Sequence, residues 1–331
     1  MFEKTVTSGD APLLDIEGLT LRLPDHAAAR PILDGVSLRV GRGETVGLVG
    51  ESGSGKSVAC RTVLGLLPQG SRTEGAVRVA ETDVLGLGPA GLRGIRRRQV
   101  AMVFQDPRAS VNPMRRVGDF LTEGLRLLGM SKKQAPARAE ELLAEVGIRD
   151  PRGALRRFPH QFSGGMLQRV VIAAALAGNP ALLLADEPTT ALDVTTQAEV
   201  VGILRRLQVR HGTGMLFVTH DLELAAAICD RIYVMYAGRI VESQPAAALF
   251  EHPRHPYTAG LLASTPRLEA DSEPPRAIPG RPVSLAEAPE GCAFAERCAF
   301  AVERCRTEVP ALVHDGPAAV ACLRAEEGIL T

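Results

Sequence analysis

The string Gly50-Glu51-Ser52-Gly53-Ser54-Gly55-Lys56-Ser57 constrains this 331-residue chain more than any other. It has the form G-x-x-x-x-G-K-S of a phosphate-binding loop, a motif that works between a buried strand and the helix that follows it. Thr45–Val49 reads as that strand and Lys56–Leu67 as that helix. The glycines let backbone N–H groups turn inward around phosphate oxygens. The helix start aims its positive dipole end at the same charge. All eight residues from Gly50 to Ser57 belong to the predicted cradle, with Lys56 expected on the β- and γ-phosphates and Ser57 on magnesium.

Strand-like and helical runs alternate from about Leu13 to Phe250, which predicts an α/β fold around a mostly parallel sheet. Further strands are read at Val100–Phe104, Ala181–Ala185, Met215–Thr219 and Arg231–Tyr236. Between Asp106 and Gln161 the strand signal disappears, and Ser131-Lys132-Lys133-Gln134 has capping-box spacing ahead of a helical pattern through Val146. This predicts a helical insert over about 106–162. Beyond Glu251 proline becomes frequent, from Pro253 and Pro256 through Pro266 to Pro282, marking a linker or an irregular extension. The expected division is a nucleotide-binding domain over 1–251 and a C-terminal extension over 252–331.

Lys+Arg and Asp+Glu balance at 38 each, so there is no basic footprint for nucleic acid. The lack of tryptophan also argues against base-stacking surfaces. Met1-Phe2-Glu3-Lys4 lacks the apolar run of a secretory signal. The longest apolar runs, around Val170–Ala177 and Ala181–Ala185, fall short of the ~20 residues that span a bilayer. The expectation is a soluble, cytoplasmic chain whose membrane role, if it has one, comes through a partner.

Asp186 ends an apolar run, where a buried strand delivers a carboxylate to magnesium, and Glu187 beside it is placed to orient or deprotonate water. Gln105 and His220 each follow a predicted strand, where the active groups of open parallel sheets gather. Phe162-Ser163-Gly164-Gly165-Met166 holds no lysine, so it is not a second phosphate loop. Ser163 is instead a good N-cap for a helix whose free N–H groups face an anion.

The phosphate loop, Gln105, Phe162-Ser163-Gly164-Gly165, Asp186-Glu187, Ala191-Leu192-Asp193 and His220 occur in the order seen in ATP-binding cassette (ABC) ATPases. From about Leu13 to Phe250 the chain resembles that family, which implies a P-loop NTPase fold and ATP hydrolysis between two cassettes arranged head to tail. The resemblance implies that Ser163, Gly164 and Gly165 of one chain cap the γ-phosphate held by Lys56 of the other. It also implies that His220 contacts the γ-phosphate, that Asp193 lies at the dimer interface, and that Gln105 senses both magnesium and a membrane partner. Two departures stand out. Met166 replaces the commonest glutamine, and Leu23 occupies the position where the family stacks adenine on an aromatic ring, giving burial without π-stacking.

Phe158-Pro159-His160-Gln161, His255-Pro256-Tyr257-Thr258 and the tail Gly291–Cys298, continuing to Cys305 and Cys322, resemble the ATP-binding subunits of peptide and nickel importers. The gaps between Cys292, Cys298, Cys305 and Cys322 are 5, 6 and 16 residues, a poor match to paired zinc ligands. The resemblance implies a 4Fe–4S cluster on these four thiolates, and free buried thiols are the bland alternative. It further implies two transmembrane permeases, an external solute-binding protein and a second cassette, the same chain or a homologue. The ATPase would then sit on the cytoplasmic face of the membrane. The rival class is a soluble cassette ATPase acting on nucleic acid or ribosomes. Such proteins commonly carry two cassettes or long coiled-coil inserts, whereas this chain has one motif set and no net charge.

Overall fold

A computed structural model of the chain describes residues 11–24, 31–190, 192–265 and 274–327. Met1–Lys4, Ala191 and Pro266 lie outside the described residues. Two sheets organise the rest. An antiparallel sheet of four strands has the order β2-β1-β4-β5, formed by β1 (Leu14–Arg22), β2 (Leu33–Val40), β4 (Arg72–Val79) and β5 (Thr82–Asp83). The larger sheet runs β11-β12-β10-β9-β3-β8-β7-β6. Its parallel part comprises β3 (Thr45–Val49), β6 (Val100–Val103), β7 (Leu182–Asp186), β8 (Gly214–Thr219) and β9 (Arg231–Tyr236). The strands β10 (Arg239–Pro245), β11 (Val313–Asp315) and β12 (Ala318–Val320) extend it antiparallel.

The parallel strands are apolar on both faces because each face has its own core. Val46 and Leu48 of β3, with Leu216 and Val218 of β8, point into the core shared with the antiparallel sheet, α1 (Lys56–Val63) and α2 (Pro89–Arg98). Val49, Met215 and Phe217 point the other way. There they meet residues of α3 (Val117–Leu127), α4 (Ala135–Glu145), α5 (Pro151–Arg156), α6 (Gly164–Leu176) and α7 (Val194–His211). They also meet α8 (Leu222–Ile228), α9 (Ala246–Glu251) and α10 (Pro256–Ser264). Period-two alternation thus splits each strand between two cores. Truncating a fully buried leucine such as Leu48 removes about 2–5 kcal/mol.

The expected strands appear within one residue at each end. The helix after the phosphate loop stops at Val63, four residues short of expectation, because Gly65 takes a left-handed conformation (φ 60°) and turns the chain. Helices α3, α4 and α5 fill the stretch between β6 and α6, and Ser131 Oγ accepts from the Gln134 N–H (3.3 Å) ahead of α4.

The segment after α10 packs onto this body. Strand β12 pairs with β10, with Glu242 opposite Val320, and Phe294 enters the main core against Tyr236 and Tyr257 at centroid distances of 5.4 and 5.3 Å. Cys305 and Leu323 form a small satellite core with Ala295. Two short helices, α11 (Glu303–Thr307) and α12 (Leu323–Glu326), flank β11 and β12. No described helix is long and apolar enough to cross a membrane.

Candidate active site

Strand order assembles the site. With β3, β8, β7 and β6 side by side and parallel, their C-terminal ends present the phosphate loop, His220, Asp186-Glu187 and Gln105 along one sheet edge. Residues separated by more than a hundred positions thereby become neighbours. A cleft of about 790 Å³ is lined by Glu51, Ser52, Gly53, Gly55, Lys56 and Ser57 together with Gln105, Glu187 and His220.

The loop is held before any ligand arrives. Lys56 is 4% exposed, and its ammonium donates to the Gly50 carbonyl (2.7 Å) and the Glu51 carbonyl (2.9 Å). Burial lowers its pKa, opposed by Glu187 and Asp186. Gly55 sits at φ 107°, a conformation closed to other residues, and a Cβ on Gly50 would collide with the Met235 carbonyl. The Ser57 hydroxyl donates to Asp186 Oδ1 at 2.7 Å, while burial raises the Asp186 pKa. A hydroxyl and a buried carboxylate that already share one point are a fitting pair for a hard cation.

Glu187 follows β7 with φ 45°, a strained setting for a residue with a side chain. Its carboxylate lies 3.7 Å from His220 Nδ1 and accepts from Thr190 Oγ1 (2.8 Å) and Gln105 Nε2 (2.9 Å). Pairing with His220, then the Thr190 hydrogen bond, pulls its pKa down to about 2 against the effect of burial. The same contact raises the His220 pKa. Thr190 escaped sequence reasoning, although its spacing three residues after Glu187 was the available signal.

Other expected residues lie away from the cleft. Ser163 is exposed at the start of α6 and caps it by accepting from the Met166 N–H (3.3 Å). Gly164 and Gly165 approach Leu192 and Thr196, and Asp193 caps α7 by accepting from Thr196 N (3.0 Å) and Oγ1 (2.8 Å). Within one chain, none of these four lines the cleft around Lys56. Leu23 is also outside the lining, whose apolar residues include Ile32, Leu261, Ile278 and Pro282.

Comparison with known proteins is consistent with this geometry. Residues 33–190 match the ABC transporter family and residues 241–305 match the oligopeptide/dipeptide transporter C-terminal region. A putative peptide import ATP-binding protein of Brucella abortus is 47% identical over 315 residues, covering 91% of this chain and 93% of its own. The chain belongs to the ABC transporter ATPase family. The oligopeptide transport ATP-binding protein OppD of Bacillus subtilis is 45% identical over 295 residues, covering 88% and 82% of the two chains. Among solved structures, the dimeric ATP-binding cassette MJ0796 with bound ADP and phosphate aligns with TM-score 0.63 at 29% identity, over 70% of this chain and 98% of that one. The cbiO1 protein of Clostridium perfringens shares the fold, with TM-score 0.64 at 24% identity over 73% and 92% of the chains. ABC membership makes the chain an ATPase.

The expected 4Fe–4S cluster is overturned. The relatives are OppD-type peptide transport ATPases, and among the described residues no group of His, Cys, Asp or Glu is arranged to hold a metal ion. Cys292, Cys298, Cys305 and Cys322 instead surround a cavity of about 10 Å³, at the lower limit for a single water. None of the four forms a disulfide among the described residues. Burial pushes Cys292 up to about 11 and raises Cys298, which favours the protonated thiol over the thiolate that iron requires.

Proposed function

We propose that this ATPase powers an importer of peptides or a related small solute from the cytoplasmic face of the membrane. The observation that carries the reading is the convergence of Lys56, Ser57–Asp186 and Glu187–His220–Gln105 on one cleft, in a chain whose C-terminal region matches the peptide transporter family. Residues 1–251 form the nucleotide-binding unit and 252–331 the extension particular to this transporter type.

Lys56 transfers its ammonium from the Gly50 and Glu51 carbonyls to the β- and γ-phosphates, and the N–H groups of the loop from Ser52 to Ser57 surround them. Ser57 and Asp186, with help from Gln105, would hold magnesium, which would supply positive charge to offset that of the triphosphate. Glu187, ionised throughout the physiological range, orients the attacking water more than it deprotonates it. His220 contacts the γ-phosphate and keeps Glu187 in place.

Ser163, Gly164, Gly165 and Asp193 act on the site of a second cassette. The exposure of Ser163 and Asp193 in one chain, the exposure of neighbouring Val194 (84%) and the dimeric state of MJ0796 support that reading. An apolar groove of about 770 Å³ beside Gln105, lined by Leu66, Phe104, Leu127 and Leu128, supports docking of a permease helix there. Two permeases and an external solute-binding protein complete the assembly, and no nucleic acid takes part.

The shared site is tested by mixing Lys56→Ala chains with Ser163→Arg chains, each inactive alone. Random pairing leaves one intact site in each mixed dimer, so ATPase activity should return to roughly a quarter of wild type. No recovery in a proven homodimer would remove the shared-site reading. Peptide import is tested in vesicles holding the permeases and binding protein, where uptake of a labelled peptide should require ATP and Glu187.

A further inference from the structure

Two elements from the far end of the chain meet on one residue of the phosphate loop. Arg297 Nη1 donates to Glu51 Oε2 (2.7 Å) and Nη2 to Oε1 (3.1 Å), a bidentate pair in which the arginine side chain is 5% exposed. Its Nε donates to the Pro279 carbonyl at 2.9 Å, and its guanidinium lies 5.8 Å from the ring centroids of both Tyr236 and Phe294. Tyr257, fully buried, accepts from the Glu51 N–H through its hydroxyl at 2.8 Å. The two marks that set the C-terminal region apart in the sequence, the His255–Thr258 run and the cysteine-bearing tail, thus each place a side chain on Glu51.

Glu51 is the one carboxylate inside the phosphate loop, and it lines the same cleft as Lys56 and Ser57. An unpaired carboxylate there repels a triphosphate, and the partial burial of the Glu51 side chain limits how far solvent screens it. A buried, bidentate guanidinium cancels that charge and fixes the loop's first turn. Spending the Glu51 N–H on Tyr257 leaves the phosphates to N–H groups further along the loop.

We propose that Arg297 is a positioning residue for ATP: it neutralises and orients Glu51, so that the C-terminal segment is a working part of the nucleotide site. The inference rests on the ATP-site reading above. It assigns the extension a role in setting nucleotide affinity, exerted through the loop rather than through contact with the reacting atoms.

The test measures ATP and ADP dissociation constants, both with magnesium, on the full chain, alongside the melting temperature without nucleotide. Arg297→Met should weaken ATP about tenfold and ADP about threefold, because the exposed Glu51 charge opposes the more highly charged ligand more strongly. Adding Glu51→Gln should restore ATP affinity to within about twofold of Glu51→Gln alone, because the opposing charge is then gone. Arg297→Gln, which keeps a donor for the Pro279 carbonyl, carries the same expectations if the methionine variant does not fold. Unchanged nucleotide affinity would overturn the proposal. So would a loss equal for ATP and ADP that Glu51→Gln fails to relieve, whatever the melting temperature does. Wild-type chain that binds no ATP removes the ATP-site reading itself; normal wild-type binding with indifferent variants removes only this inference.

Discussion

The nucleotide cleft and the cysteine segment each gather conspicuous side chains into a small buried volume, and they differ in what accompanies the burial. In the cleft Lys56, Asp186 and Glu187 each have an opposite charge or a hydrogen-bond partner beside them: Lys56 donates to two carbonyls, Asp186 accepts from the Ser57 hydroxyl, and Glu187 has His220, Thr190 and Gln105. Around Cys292 burial comes first, a backbone N–H gives partial relief, and the neighbouring cysteines push its pKa further up. Compensated burial keeps groups ionised and ready for a charged ligand. Uncompensated burial leaves neutral thiols that serve as small apolar packing units. A cluster of reactive residue types becomes a site only when its surroundings stabilise the reactive form.

The largest effect expected from this contrast lies in the cleft. Glu187→Gln removes the charge proposed to orient water while leaving Lys56, Ser57 and Asp186 in place. The turnover rate should fall about 10²–10³-fold with ATP binding retained. Lys56→Ala should instead weaken nucleotide binding itself, because the buried cation facing the phosphates is gone. Phosphate release and equilibrium binding on both variants distinguish the two roles. Near-normal turnover by Glu187→Gln would break the assignment of the compensated carboxylate to catalysis.

The second effect probes the thiols. With Cys292 pushed up to about 11, its thiolate fraction at pH 8 is roughly 100-fold below that of an ordinary cysteine. Native protein treated with iodoacetamide should therefore label Cys292 about 100-fold more slowly than urea-unfolded protein, as read by peptide mass spectrometry. Fast native labelling would mean that the segment does stabilise thiolates, and the contrast between the two regions would collapse.

How much of this was legible in the sequence depended on the range of the contacts. The central strands are short apolar runs, closed on both faces, and they stand out without tertiary information. The separate antiparallel sheet did not stand out. In β1 the register shifts between Ile16 and Leu19, around Gly18 at φ 58°, and this interrupts the alternation that marks a half-buried strand. The residues of the phosphate loop, Asp186-Glu187, Gln105 and His220 could be named from motif order, but their convergence required the strand order β3-β8-β7-β6. Arg297 and Tyr257 were invisible as site residues because they reach Glu51 across 246 and 206 positions. No local pattern records such a contact. The cysteines misled because spacing says nothing about whether a thiolate will be stabilised.

The smallest effect concerns His255, where the cleft's surroundings show uncompensated burial of their own. This residue is 2% exposed, and its Nδ1 accepts from the Tyr257 N–H at 3.0 Å, so it serves as a neutral cap for α10. Burial pulls its pKa down to about 4. The unfolded chain, with an ordinary histidine near 6.5, therefore takes up this proton first as the solution is acidified. Stability from the neutral form is intact above about pH 6.5 and is lost progressively toward pH 4, amounting to about 2 kcal/mol between pH 7 and 5. Glu242, which accepts from the His255 N–H at 3.0 Å and whose pKa burial raises, works in the opposite direction because its folded form gains a proton more readily. Comparison with His255→Asn isolates the histidine, since asparagine keeps an acceptor near the Nδ1 position but does not titrate. Urea unfolding at pH 7 and pH 5 should show the wild type losing about 2 kcal/mol more than the variant over that interval. Equal losses would mean that His255 protonates without opening the fold. The packing that holds Tyr257 on Glu51 would then be looser than its burial implies.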